Sequence, residues 1–370
     1  MNSRHVPDVA TLACSPDTGD RGKLWQRMAR SASGRSSEEP SGRLSLVGSR
    51  SNPFVFIVGA PRSSTTLVQR LLDAHPSLAV INETRWIAEW YGARVGLDPA
   101  DNVTAEHIEL LTAFPGFAKL ELPDAFVREM GATAAGTDYA ELVSTIFDAY
   151  GRARGKDLVG DKTPRYVLHL DQLHALFPAA RFVHVIRDGR EVALSVQHWN
   201  EKRGQRGPGY LEGWSEDQVT TTALWWGRHV RRGREAGARL GEGTYHELRY
   251  ERLTTDPAGA CRDLCAFLGL AFDDAMLRFN EGRERTDGKR SAKSSWLSPT
   301  PGLRDWATQM DPEDIETFEA TEGALLDELR YARAVPHPSA DAIRHAEERR
   351  ETFDDHMRSG GDVVPEGWPR

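Results

Sequence analysis

The first residues able to do chemistry form one turn, Gly59-Ala60-Pro61-Arg62-Ser63-Ser64-Thr65-Thr66. It follows a short apolar run, Phe54 to Val58, and opens a stretch that places Leu67, Leu71 and Leu72 on one helical side. A strand that turns directly into a helix collects backbone N–H groups and the positive end of the helix dipole at one point, which makes an anion site. The nucleotide-binding phosphate loop, G-x-x-x-x-G-K-[ST], has this context. Gly59 and Thr66 fit its two ends, but Ser64 replaces the second Gly and Thr65 replaces the Lys. Without that Lys, nucleoside triphosphate hydrolysis is disfavoured, and the positive charge sits instead at Arg62, inside the turn. The loop suits a phosphorylated ligand with less charge than a triphosphate, bound without obligatory magnesium.

A second basic segment, Ala180 to Arg190, reads as a strand running into a new helix. Arg187 ends the strand and Ser195 follows eight residues later. That spacing lets both converge on one anion, and the planar Arg fork suits phosphate oxygens. The residues alone equally allow an Arg187 paired with Asp188 or a neighbouring carboxylate, and a Ser195 buried as a helix hydroxyl. Arg190 reads as a helix-surface residue. Group transfer also needs a base and a cation near the leaving oxygen. Glu83 follows the apolar run Leu78 to Ile81, where an open α/β sheet builds its ligand crevice. Its plain alternative is a dipole partner at a helix start. Lys162, in Gly160-Asp161-Lys162-Thr163-Pro164, follows another apolar strand; its alternative is a solvated charge. His75 reads as a packing residue, and Trp225 and Trp226 as core.

Pro61-Arg62-Ser63-Ser64-Thr65-Thr66-Leu67 resembles the P-R-S-G-T-T-L signature of sulfotransferases that use 3′-phosphoadenosine 5′-phosphosulfate (PAPS). The longer stretch through Leu72-Asp73-Ala74-His75-Pro76 and Asn82-Glu83-Thr84-Arg85 is similar to the tyrosylprotein sulfotransferases and their bacterial relatives. The resemblance implies that Gly59, Pro61, Arg62, Ser63, Ser64, Thr65 and Thr66 hold the donor's 5′-phosphosulfate. It implies that Arg187 and Ser195 hold the 3′-phosphate, and that Glu83, twenty-one positions after Arg62, is the catalytic base. Lys162 matches a K-x-P context whose Lys serves as acid or electrostatic stabiliser of the departing phosphate, a task shared with Arg62; no metal is implied. Tyr250-Glu251-Arg252-Leu253 resembles a structural Y-E-x-L segment, and the basic stretch Arg283 to Lys293 a loop that closes over the donor. The departure is Ser64 where the family has Gly; it is expected to be harmless in a Ser that begins a helix normally.

These residues need a scaffold. Strand candidates at 78–81, 158–160, 182–186 and 244–248 alternate with helical patterns at 166–177, 189–199, 216–239 and 257–268, which predicts an α/β fold. Its core is a doubly wound parallel sheet of the phosphate-loop type, flanked by helices, with a helical insertion at 98–150. Residues 1–50, rich in Ser, Arg, Gly and Pro, read as a disordered extension, 51–335 as the sulfotransferase domain, and 336–370 as a peripheral helix and loose tail. The 200–215 loop and the insertion are expected to shape the acceptor pocket. A net charge of −8 argues against nonspecific binding of nucleic acid, so any site for a polyanion must be a local basic pocket. Cys14, Cys261 and Cys265 make no disulfide framework and read as reduced packing residues. No run approaches the ~20 apolar residues of a membrane span, and no signal-peptide order is present, so the expectation is a cytoplasmic protein. The expected acceptor is a small-molecule, glycan or lipid hydroxyl or amine, with protein tyrosine and a homodimer both compatible. The rival readings are a kinase using ATP and a non-catalytic nucleotide-binding module.

Overall fold

Val55–Val58 (β1) is buried at every position, as a strand covered on both faces must be. In the computed structural model, which describes residues 54–202, 217–281, 299 and 305–359, this strand is the centre of a five-stranded sheet. Its partners are β2 (Leu78–Asn82), β3 (Leu158–Lys162), β4 (Arg181–Ile186) and β5 (Tyr245–Arg249), all parallel, in the order β2-β3-β1-β4-β5. The apolar runs mark these strands closely. β3 runs on two residues past Gly160, because Asp161 and Lys162 are charged and yet buried in the ladder.

Alternation sorts the two faces of β1. Val55 and Ile57 pack with Leu67, Val68, Leu71 and Leu72 of α1 (Thr65–Asp73), whereas Phe54, Phe56 and Val58 face the opposite layer. There the Phe56 ring stacks on Phe182 at 5.7 Å and lies near Phe147 and Phe177. Between β2 and β3 come α2 (Trp86–Gly92), α3 (Ala105–Ala113), α4 (Pro115–Ala118), α5 (Asp124–Thr133) and α6 (Tyr139–Arg152). The segment at 98–150 is thus helical, and its last helix, α6, lies on the sheet itself through Val143, Ile146 and Phe147.

A 3₁₀ turn at Pro164–His169 and α7 (Leu170–Leu176) lead into β4, followed by α8 (Gly189–Lys202), α9 (Gln218–Leu240), α10 (Tyr250–Thr255) and α11 (Pro257–Leu268). After these come α12 (Trp306–Gln309), α13 (Pro312–Glu328) and α14 (Ala340–Arg358). Trp225 and Trp226 are core residues, and Cys261 and Cys265 are free, buried thiols. α14 is tied down where Arg350 donates to Glu322 at 3.2 Å. The expected extension at 1–50, most of the 200–215 loop, the basic stretch 283–293 and the end of the tail lie outside the described residues. Among the described residues no helix is long and apolar enough to cross a membrane.

Arg190 corrects the expectation of a surface residue: it is 1% exposed. Its guanidinium reaches Asp188 at 2.7 Å and Glu319 of α13 at 2.5 Å, and stacks over the Trp306 ring. Glu319 is itself 1% exposed and accepts the backbone N–H groups of Ala334 and Val335. Removing one partner of such a group leaves a buried charge without compensation. Arg190→Ala should therefore lower unfolding stability by about 3–5 kcal/mol in urea titration; a loss below about 1 kcal/mol, the scale of exposed pairs, would show the cluster to be solvated.

Candidate active site

Four strand ends bring the candidate residues to one edge of the sheet: Gly59 follows β1, Glu83 follows β2, Lys162 closes β3 and Arg187 follows β4. In open α/β sheets this carboxyl edge is where ligands bind. Gly59 has φ 149°, and a Cβ there would lie 2.4 Å from the carbonyl oxygen of Val185, so only glycine lets the turn press against β4. Its N–H donates to Pro164 O at 3.0 Å, which ties the turn to the segment after Lys162. Arg62 and Ser64 both have positive φ, 77° and 68°. The turn is thereby wound so that α1 begins without a side-chain cap, an arrangement that suits an anion at the helix start. Ser63 is 1% exposed, and its hydroxyl is buried without a hydrogen-bond partner. Thr65 is buried as well. An uncapped helix start, a nearby cation and an orphaned hydroxyl fit a phosphate or phosphosulfate.

Ser64 corrects the expectation of an ordinary helix start. At φ 68°, ψ 23° it occupies the left-handed region, where a Cβ is disfavoured, so the Gly of the related signature has a conformational reason. The Ser side chain supplies something in return: its hydroxyl accepts from Arg187 Nη1 at 3.2 Å.

Sheet register delivers Glu83 to Lys162. Asn82 pairs with Lys162 in the ladder, and the N–H of Glu83 donates to Lys162 O at 2.9 Å. The chain then turns through left-handed residues, Glu83 and Arg85, both at φ 60°. Strain of this kind persists where surroundings over-determine it, and here Thr84 is fixed by Asp161, which accepts its N–H at 3.1 Å, and by Tyr166 at 2.9 Å. The Glu83 carboxylate accepts from Lys162 Nζ at 2.7 Å and from Arg85 Nε at 2.9 Å. Burial pushes its pKa up, but the charges and hydrogen bonds of Lys162 and Arg85 overcome that and hold it down at about 2. Lys162 is 1% exposed. Glu83 is therefore ionised throughout the physiological range.

At β4 the two clamp residues are split between partners. Ser195 accepts from Arg62 Nε at 3.0 Å, so the helical hydroxyl belongs to the turn's arginine. Arg187 donates to Glu191 through Nε at 2.7 Å and through Nη2, and its guanidinium lies 4.3 Å from the centre of the Tyr250 ring. The two arginines thus share one rim, cross-bonded by Arg62–Ser195 and Arg187–Ser64. Pro61 and Thr66 complete the turn and the first helical turn. Packing explains the rest: His75 is buried and bonded to Ala271 O, and Glu251 accepts from the Asp188 N–H and Tyr331. Sequence reasoning gave Tyr250 only a structural role, allowed a neighbouring carboxylate as partner of Arg187 without naming Glu191, and assigned no part to Arg85. The four-residue spacing of Arg187 and Glu191 signals a helical ion pair; the position of Arg85 is set by backbone winding that no spacing reveals.

A family model described as the sulfotransferase family matches residues 53–274. The nodulation protein NoeE of Sinorhizobium fredii is 27% identical over 337 residues, covering 84% of this chain and 76% of the relative. A protein-tyrosine sulfotransferase of Drosophila melanogaster is 25% identical over 70% of this chain, which spans 50% of that protein. An omega-hydroxy-beta-dihydromenaquinone-9 sulfotransferase of Mycobacterium tuberculosis is 23% identical over 78% of each chain. Among solved structures, the sulfotransferase domain from the curacin biosynthetic pathway superposes with a TM-score of 0.50 at 17% identity, covering 76% of this chain and 99% of that domain, and supports the fold.

The strain at Ser64 is measurable by comparing two substitutions that both remove the hydroxyl. Ser64→Gly should be more stable than Ser64→Ala by about 1 kcal/mol in denaturant unfolding; equal stabilities would place the strain elsewhere.

Proposed function

The chain belongs to the sulfotransferase family, and from that premise we propose that it moves a sulfuryl group from PAPS to a hydroxyl or amine of its acceptor. The observation that carries the donor reading is the cross-bonded rim, in which Arg62 reaches Ser195 and Arg187 reaches Ser64. One anion pocket lies in the turn and a second at the end of β4, on the same edge, which suits a nucleotide bearing phosphate at both ends. The uncapped start of α1 and the orphaned Ser63 hydroxyl fit the 5′ end, and Arg187 against the Tyr250 ring fits the 3′-phosphate.

In this reading Glu83 takes the proton of the acceptor as the acceptor oxygen or nitrogen bonds to sulfur. The bond from sulfur to the 5′-phosphate oxygen breaks, and its electron pair stays on that phosphate, where Arg62 and Lys162 stabilise the charge. A carboxylate held near pKa 2 is always deprotonated but weakly basic. Lys162 resolves the conflict, because the cation that restrains Glu83 is the one the departing phosphate requires; sharing it raises the basicity of Glu83 as charge develops. The names of the relatives span protein tyrosine and a menaquinone lipid, and a small-molecule, glycan or lipid hydroxyl is the acceptor class proposed here, with protein tyrosine its rival.

Calorimetry with 3′,5′-bisphosphoadenosine, AMP and ATP tests the donor. Preference for the bisphosphate, lost in Arg187→Ala, is expected, and equal binding of all three defeats the assignment. Glu83→Gln should keep bisphosphate binding while lowering turnover by about 10²- to 10⁴-fold. A variant that retains full turnover would remove Glu83 from the chemistry.

A further inference from the structure

Arg187 is 4% exposed, and one edge of its guanidinium fork is already taken. Nε and Nη2 both point to the single oxygen Oε2 of Glu191, while Nη1 is on Ser64. A phosphate that binds this arginine through two N–H groups of that edge must replace the carboxylate, since both are anions competing for the same donors. We propose that Glu191 is a displaceable counter-ion of the 3′-phosphate pocket, a positioning residue that guards Arg187 in the donor-free protein and takes up a proton when the phosphate arrives. This rests on the donor reading above.

The surroundings make displacement without protonation costly. Glu191 on α8 is faced by Arg187 and Asp188 at its own helix start and by Tyr250 and Glu251 of α10. Arg187 is the cation of that set, and two of the neighbours are acids. Burial already moves the Glu191 carboxyl above its ordinary range, with Arg187 opposing the shift and Asp188 and Glu251 adding to it. Giving Arg187 to a phosphate removes the opposing charge and adds a further negative one, so the pKa rises again. A group whose pKa rises on binding gains a proton between the free and bound values, and the affinity it modulates weakens as pH climbs through that window. The carboxylate also discriminates: a ligand without a 3′-phosphate leaves the Arg187–Glu191 pair untouched.

The experiment is calorimetry of the full chain with 3′,5′-bisphosphoadenosine and with AMP, from pH 5.5 to 8.5, in buffers of differing ionisation enthalpy. Wild-type protein should take up protons with the bisphosphate and not with AMP. The ligand's own phosphate, with a pKa of about 6, can only release protons on binding, so it cannot imitate the signal. Glu191→Gln should abolish the uptake and bind the bisphosphate about tenfold tighter than wild type at pH 8, with the gap closing to about threefold or less at pH 5.5. AMP affinity should be the same in both. Proton counts and affinity ratios unchanged by Glu191→Gln overturn the role of Glu191 while leaving the donor reading in place. Should wild-type protein fail to distinguish the bisphosphate from AMP, the donor reading fails and this inference with it.

Discussion

A backbone turn held in a conformation side chains resist is what the site depends on. Gly59 at φ 149°, Arg62 at 77° and Ser64 at 68° wind the chain so that α1 starts without a side-chain cap. That winding is costly for two of the three residues, and it is held by bonds from outside the turn. Ser195 of α8 receives Arg62, Arg187 reaches Ser64, and Pro164 receives the Gly59 N–H. Each tether comes from a different part of the sheet edge: β4, the helix after it, and the segment after β3. The same bonds that fix the turn also fix the spacing between Arg62 and Arg187, so the arrangement of the two arginines and the stability of the most strained residues are one property.

Electrostatics follow from burial. A guanidinium or ammonium as enclosed as Arg187 or Lys162 needs a counter-charge while no ligand is bound, because desolvation alone is expensive. Both have one within their own element or its neighbour: Glu191 for Arg187 and Glu83 for Lys162. Arg190 needs no exchange of partner, and its acids, Asp188 and Glu319, come from the turn and from a distant helix. The contrast separates two kinds of buried arginine only three residues apart. One lies at the carboxyl edge of the sheet, paired with Glu191; the other is locked between two acids and serves the attachment of α13.

The strands were legible in the sequence where both faces are covered, since a strand buried on both sides demands a continuous apolar run such as Phe54 to Val58. The sequence was less informative where charge enters the ladder: Asp161 and Lys162 extend β3, and their burial depends on what Thr84 and Glu83 offer from the neighbouring strand end. Local spacing located the turn, Glu83 and Arg187. It could not assign Ser195 to Arg62, because that contact joins residues 133 positions apart. The burial of Arg190 is hidden for the same reason, its partner Glu319 lying 129 positions away. The handedness of Ser64 escaped because residue type constrains φ strongly only through Gly and Pro, and Ser is neither.

Environment also decides which carboxylate at this edge carries charge. Glu83, Asp161 and Glu89 lie on adjoining segments and bias one another or share cations. Asp161 is 0% exposed, and burial raises it to about 6 despite hydrogen bonds from its neighbours. Burial raises Glu89 to about 7, with Arg165 and Arg85 only partly opposing it. Of these three, Glu83 falls, to about 2, because Lys162 and Arg85 both point at it. Near neutral pH the set is therefore sorted into one fixed anion and two acids close to their titration range, a division that carboxylates acquire only from their surroundings. The fixed anion is the one set against Lys162, and moving that lysine is the change with most leverage over its basicity. In the proposed reaction, donor binding and acceptor deprotonation are coupled through this one ammonium group, which holds Glu83 at 2.7 Å.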